Sequence, residues 1–288
     1  MQSHIVSVFA REMLPGKVGN NKLQINGSIF MSDYQTILYD VDGTRATITL
    51  NRPDNLNGIT NTMMRELYEC LSAVAIDENI RVVQFTGAGR GFCPGADLKA
   101  YTSDERQEPN RKEYFSITSL LHEMPKVTVA AINGACAGAG FGWACACDLR
   151  YATARATFNS AFLGVAISGD MAAPWLLPRI LGATKARELM LIPGKFGAEE
   201  AERIGLVART FSDDSFRDEV DEIIDRLASS APLAMSEMKK NFISAENMSL
   251  RDYIELETER HSRTGATEDS REAFRAFVEK RQPEFKGR

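Results

Sequence analysis

Apolar and polar residues alternate at Ile37, Tyr39 and Val41, and again at Ala46, Ile48 and Leu50, with Asp42-Gly43 between the two sets. A period of two around such a dipeptide predicts a β-hairpin. The period then lengthens. Met64, Leu67, Leu71, Val74 and Ala75 recur at helical spacing, so 61–75 is expected to be a helix capped by Thr60 or Asn61. Short apolar runs at 81–86 and 127–132 read as buried strands, with a helix around 112–122 between them. Strand, helix, strand in that order predicts right-handed crossover units and an α/β core, to which 148–152 adds another short strand.

The last quarter changes character. Segments 218–228, 233–244, 250–261 and 269–280 each carry one apolar stripe and read as amphipathic helices. Residues 1–30 show neither period, contain Pro15, Gly16 and Gly19, and hold a single acidic residue, Glu12. They read as a disordered extension or as the product of an upstream start codon, a transit peptide being the other reading. The expected organisation is an extension over 1–30, a core over 31–230 and a helical region over 231–288.

Composition narrows the partners. A chain of 288 residues with 44% hydrophobic and 25% charged residues can bury one substantial core. A net charge of -5 argues against a nucleic-acid surface and leaves small molecules as the expected ligands. The five cysteines form no Cys-x-x-Cys pair, and the three histidines are scattered, so reduced thiols and no metal are expected. Cys136 with His122 is one candidate nucleophile pair; a buried free cysteine acting as a small hydrophobe is the other reading. No long apolar signal region or membrane span is evident, which points to a cytoplasmic protein.

Candidate chemistry lies where the strand 127–132 runs into Asn133-Gly134 and the small-residue stretch Gly138 to Gly142. Small residues let backbone approach a ligand, and the amides of Gly138, Ala139 and Gly140 fall at the start of a helix, where they are unpaired and favour negative charge. Such amides hold an existing anion or one that forms during a reaction. Tight packing of a helix on a sheet is the alternative reading. A second glycine loop, 87–99, follows the strand at 81–86. Neither loop has dinucleotide or P-loop spacing, which weakens the phosphate reading.

Gly91-Phe92-Cys93-Pro94-Gly95-Ala96-Asp97-Leu98-Lys99, Asn133-Gly134, the Gly138 to Gly142 turn and Cys147-Asp148 together resemble the crotonase superfamily of acyl-CoA enzymes. Asn51-Arg52-Pro53 and the stretch Ala276 to Arg281 extend the likeness. The resemblance implies a spiral of strand-strand-helix units with C-terminal helices at a trimer contact, the trimers often paired. It also implies an oxyanion hole made by the backbone amides of Ala96 and Ala139, which stabilises a thioester enolate. Gly95, Ala96, Asp97, Leu98 and Lys99 would border CoA, and Phe277 and Lys280 would reach CoA bound to a neighbouring subunit. A solvated surface side chain is the other reading for each lysine. Phe141, Gly142, Trp143 and Phe162 would line the acyl pocket, the aromatic ones being ordinary core otherwise. No cofactor beyond the CoA of the substrate is implied.

The hydratases of the superfamily carry catalytic glutamates at the positions of Gly142 and Phe162, and both are absent here. Activating water then has no evident agent. Asp170 is the sole acidic residue between Asp148 and Glu188, and its apolar neighbours should raise its pKa. Capping a helix that starts at Met171 is the competing role. The arrangement is most similar to the ring-epoxyphenylacetyl-CoA isomerase branch, through Ala161-Phe162, Asp170 and Trp175 to Arg179, and in that branch the matching aspartate transfers a proton. Gly169 in place of a proline, and Ala172-Ala173 in place of two glycines, depart from it. Three readings follow: a double-bond or ring isomerase using Asp170; a hydratase, hydrolase or retro-Claisen enzyme sharing the hole; or an acyl-CoA-binding protein without catalysis.

Overall fold

A computed structural model describes residues 34–99, 109 and 111–288, so the extension expected over 1–30 lies outside the described residues. The alternation at the start forms the expected hairpin: β1 (Ile37–Asp42) pairs antiparallel with β2 (Arg45–Leu50), Tyr39 opposite Ile48. Thr60, rather than Asn61, caps α1 (Asn61–Ile76), accepting a hydrogen bond from the Met63 amide at 3.2 Å. The stripe Met63, Met64, Leu67, Leu71 and Val74 is buried. β3 (Val82–Gly87) is followed by a three-residue strand, β4 (Gly91–Cys93). The helix expected at 112–122 divides into a 3-10 turn, Lys112–Ser116, and α2 (Ile117–Glu123).

β5 (Val127–Ile132) is buried along its whole length, as a central parallel strand covered on both faces must be. It passes directly into β6 (Ala135–Ala137) and α3 (Gly138–Ala146). The same strand-strand step recurs in β7 (Leu149–Thr153) and β8 (Thr157–Asn159). Beyond a 3-10 turn at Phe162–Val165 come α4 (Ala173–Leu181), α5 (Ala183–Leu191), β9 (Phe196–Gly197), α6 (Ala198–Arg203) and β10 (Arg209–Phe211).

Two sheets result. The larger has the order β1-β2-β3-β5-β7-β10, parallel from β2 onward; the smaller has the order β4-β6-β8-β9. Because side chains alternate across a strand, Val83, Phe85, Ala130 and Ile132 enter one core with α1, α2 and α3. Val82, Val129 and Ala131 face the other way and are covered by Val220 and Ile224 of α7 (Phe216–Ala228). β4 and β6 are parallel neighbours, Cys93 opposite Cys136, so the segments that follow them emerge side by side.

The C-terminal helices are α8 (Pro232–Ala245), α9 (Leu250–Gly265) and α10 (Glu268–Glu279). α8 is fixed to the sheet by Lys239, which is 4% exposed. Its ammonium lies 2.8 Å from Asp148 Oδ2 and donates to the carbonyls of Lys126 at 2.9 Å and Leu121 at 3.2 Å. The chain end folds back on α10, where Asp269 accepts from the amides of Lys286 and Gly287. No described helix is long and apolar enough to cross a membrane.

Candidate active site

Ala96 forms an isolated parallel bridge with Ile59, whose amide donates to the Gly95 carbonyl at 2.9 Å while the Asp97 amide donates to the Ile59 carbonyl at 3.0 Å. Successive N–H groups of extended backbone point to opposite edges, so the Ala96 N–H is turned away from Ile59. The Asn51-Arg52-Pro53 motif supports this loop: Arg52 pairs with Asp97 Oδ2 at 2.8 Å, and Asn55 donates to the same oxygen at 3.1 Å. Asn57, fully buried, donates to the carbonyls of Ala88, Gly91 and Phe92 and so ties the base of the loop to the same corner.

α3 begins at Gly138 with φ +52 and receives no side-chain cap from Ala137, which leaves the early amides, Ala139 included, without intrahelical partners. Glycine brings the two loops together. A methyl built on Gly95 would lie 3.2 Å from the Ala137 carbonyl oxygen and 3.5 Å from the Ala139 nitrogen. One built on Gly140 would lie 2.5 Å from the Cys93 carbonyl oxygen, so α3 seats directly on β4. The close packing of α3 on β4 and the start of α3 at Gly138 thus occur at the same place.

Asp170 does not cap α4. The N-cap residue is Ala172, and only the backbone carbonyl of Asp170 takes part, accepting from the Ala173 amide at 3.1 Å. The carboxyl oxygen Oδ1 is buried and has no hydrogen-bond partner among the described residues. Burial raises the carboxyl above its ordinary pKa. Met171, the next residue, abuts Gly142: a methyl on that glycine would sit 2.6 Å from Met171 Cβ. Gly142 lies three residues after Ala139 on one face of α3, about 4.5 Å along the axis. The chain at Asp170 thus meets the helix within a turn of the Ala139 amide.

The other expected residues divide. Ala96, Leu98 and Lys99 are exposed, Gly95 is buried and Asp97 is half-buried. Phe162 is buried at the start of its 3-10 turn, while Phe141 and Trp143 belong to the main core, Trp143 meeting Phe85 edge-on. Phe277 is 85% exposed on α10, and Lys280 ends that helix in the left-handed conformation. Cys136 and His122 are not a nucleophile pair: burial holds the Cys136 thiol well above its usual pKa, and His122 Nε2 lies 3.2 Å from Glu246. No group of three or more histidine, cysteine or acidic side chains among the described residues is arranged to hold a metal. Arg52, Asn57 and Met171 were not among the expected site residues; the Asn51-Arg52-Pro53 motif was the one signal for the first.

A profile described as enoyl-CoA hydratase/isomerase matches residues 41–288. The 1,2-epoxyphenylacetyl-CoA isomerase of Escherichia coli is 33% identical over 262 residues, covering 88% of this chain and 98% of that protein. The trans-2-decenoyl-[acyl-carrier-protein] isomerase of Streptococcus mutans is 29% identical, covering 89% of this chain and 100% of that one. The crystal structure of an enoyl-CoA hydratase from Bacillus anthracis superposes with a TM-score of 0.82 at 30% identity, over 88% of this chain and 100% of that one. With its strand-strand-helix units and C-terminal helices, the chain has the crotonase fold and belongs to the enoyl-CoA hydratase/isomerase family.

Proposed function

We propose that the protein is an acyl-CoA isomerase that shifts a double bond, or opens a ring, by moving one proton through Asp170. The observation that carries the reading is the half-buried Asp170 carboxyl, whose buried Oδ1 has no hydrogen-bond partner among the described residues, beside the contact between Met171 and α3. On a 3-enoyl thioester the carboxylate takes the proton from the α carbon. That C–H electron pair enters the conjugated system, and the thioester oxygen becomes negative between the amides of Ala96 and Ala139. The new Asp170 O–H then returns its proton to the γ carbon, which leaves the 2-enoyl isomer. Both relatives named above as isomerases favour this direction. Hydration fits less well, because Met171 abuts Gly142 where hydratases have a carboxylate, and Phe162 offers no proton.

In this account Gly95, Ala96, Asp97, Leu98 and Lys99 border CoA and Phe162 faces the acyl chain; Gly142 is covered by Met171 rather than open to the acyl chain, and Phe141 and Trp143 are core residues packed behind. Phe274, Phe277 and Val278 form an exposed apolar strip on α10, which supports a homotrimer or dimer of trimers in which Phe277 and Lys280 reach a neighbour's CoA. The reaction takes no cofactor beyond that CoA, and the protein works in the cytoplasm. The test compares Asp170→Asn with Asp170→Ala in isomerisation of a 3-enoyl-CoA. Asp170→Asn is expected to stay folded and lose roughly a hundredfold to ten-thousandfold in rate. Wild-type rates in folded Asp170→Asn would rule out the carboxylate as the proton carrier.

A further inference from the structure

Resting on the reading of Asp170 as the base, we infer that Met171 is a positioning residue for that carboxylate and that Gly142 is the socket in which it seats. The missing side chain at 142 and the carboxylate at 170 are then two parts of one packing arrangement, and restoring a side chain at 142 dislodges the base.

Three features meet at this point. Met171 and Ala172 have φ of +46 and +54, and Gly169 has +110, so Asp170 is the one member of the four outside the left-handed region. Non-glycine residues hold such angles only where their surroundings over-determine them. The surroundings do so here. A methyl on Gly142 would meet Met171 Cβ at 2.6 Å and the Met171 carbonyl oxygen at 2.9 Å, so backbone and Cβ of Met171 already fill the space above α3. The thioether is also held: Met171 is 5% exposed within the main core, and its Sδ accepts from Thr118 Oγ1 of α2 at 3.5 Å. On the other side of the carboxylate, Gly169 is backed by Pro174 and Met190, 3.1 and 3.4 Å from where its Cβ would be. Asp170 hangs between two anchored neighbours. Its own Oδ1 has no hydrogen-bond partner among the described residues, so these neighbours direct the carboxyl in place of a partner to that oxygen.

The test uses the full chain and a 3-enoyl-CoA in deuterated water, reading isomerisation and deuterium uptake. Gly142→Ala forces Met171 outward and is expected to lower kcat about a hundredfold, the loss that accompanies a displacement near 1 Å, with KM little changed. Adding Met171→Gly removes the opposing Cβ and eases the left-handed backbone, and should restore kcat by about tenfold. Met171→Ala, which keeps the Cβ and removes the buried side chain together with its sulfur contact to Thr118, should lose about tenfold in kcat, and Met171→Leu, which restores the buried bulk without the sulfur, should recover part of that loss. That pair carries the test should Gly142→Ala not fold. Wild-type kcat in folded Gly142→Ala, or in Met171→Ala, overturns the inference. Asp170→Asn is run in parallel: if it is inactive while Gly142→Ala runs at wild-type rate, only the positioning role fails. If Asp170→Asn itself runs at wild-type rate, the base assignment fails and the positioning role goes with it.

Discussion

Replacing Ala139 with proline deletes one hydrogen-bond donor and little else. Ala139 is the second residue of α3, where the amide has no partner inside the helix, and proline is tolerated in a first turn. Gly138 precedes it, and glycine adapts to a following proline more readily than other residues. The substitution therefore breaks no helical hydrogen bond. The magnitude follows from the role assigned to that amide. One of two donors to a developing oxyanion is worth about 3 kcal/mol, which corresponds to roughly a hundredfold to thousandfold in kcat. Ground-state binding depends on the whole CoA surface, so KM should move far less than kcat. The assay is steady-state isomerisation of a 3-enoyl-CoA, with the melting temperature measured on the same preparation. If kcat stays within a few-fold of wild type while the variant melts like the parent, the oxyanion is not held by Ala139 and the glycine turn serves packing alone.

Three other outcomes are expected. Lys239→Met leaves Asp148 without its buried cation and should lower stability by about 3–5 kcal/mol in urea unfolding, α8 being the element released; an unchanged midpoint would show that α8 is held by apolar contacts instead. Because burial raises the folded-state pKa of Asp170, the carboxyl favours its protonated form, so kcat should rise with pH along a limb above the ordinary carboxylate value, which is 3.8. The same sign makes its contribution to stability complete below that value and lost as pH rises through the raised pKa. Asp170→Asn should thus melt higher than wild type near neutral pH and lose that margin in acid; a margin that grows on acidification would reverse the assignment.

Much of the fold could be read from periods. The hairpin, α1 and β5 carry their apolar positions at intervals of two, at helical spacing, or without a break, and each formed where its pattern placed it. The small sheet had no such signal, since strands of two or three residues are too short to repeat a period of two, and they exist because the larger strands deliver them side by side. The site was legible as loops and not as contacts. Glycines marked where two backbones approach, but nothing local ties Arg52 to Asp97 across 45 positions. Asp170 shows the limit most clearly. An aspartate just before a proline-containing first turn satisfies the local rule for a helix cap, and the contact of Met171 with Gly142, together with the left-handed backbone at Met171 and Ala172, overrides it. Left-handed angles at glycine can be anticipated; at methionine and alanine they come only from tertiary packing.

The most direct test of a single-carboxylate isomerase follows wild-type protein with a 3-enoyl-CoA in deuterated water and resolves the products by mass spectrometry. Proton transfer through Asp170 predicts the 2-enoyl isomer at unchanged composition apart from deuterium at carbon, with addition of water slower by about a hundredfold or more. Rapid appearance of the hydrated thioester would contradict the account, because it would require a second catalytic group where Gly142 and Phe162 provide none.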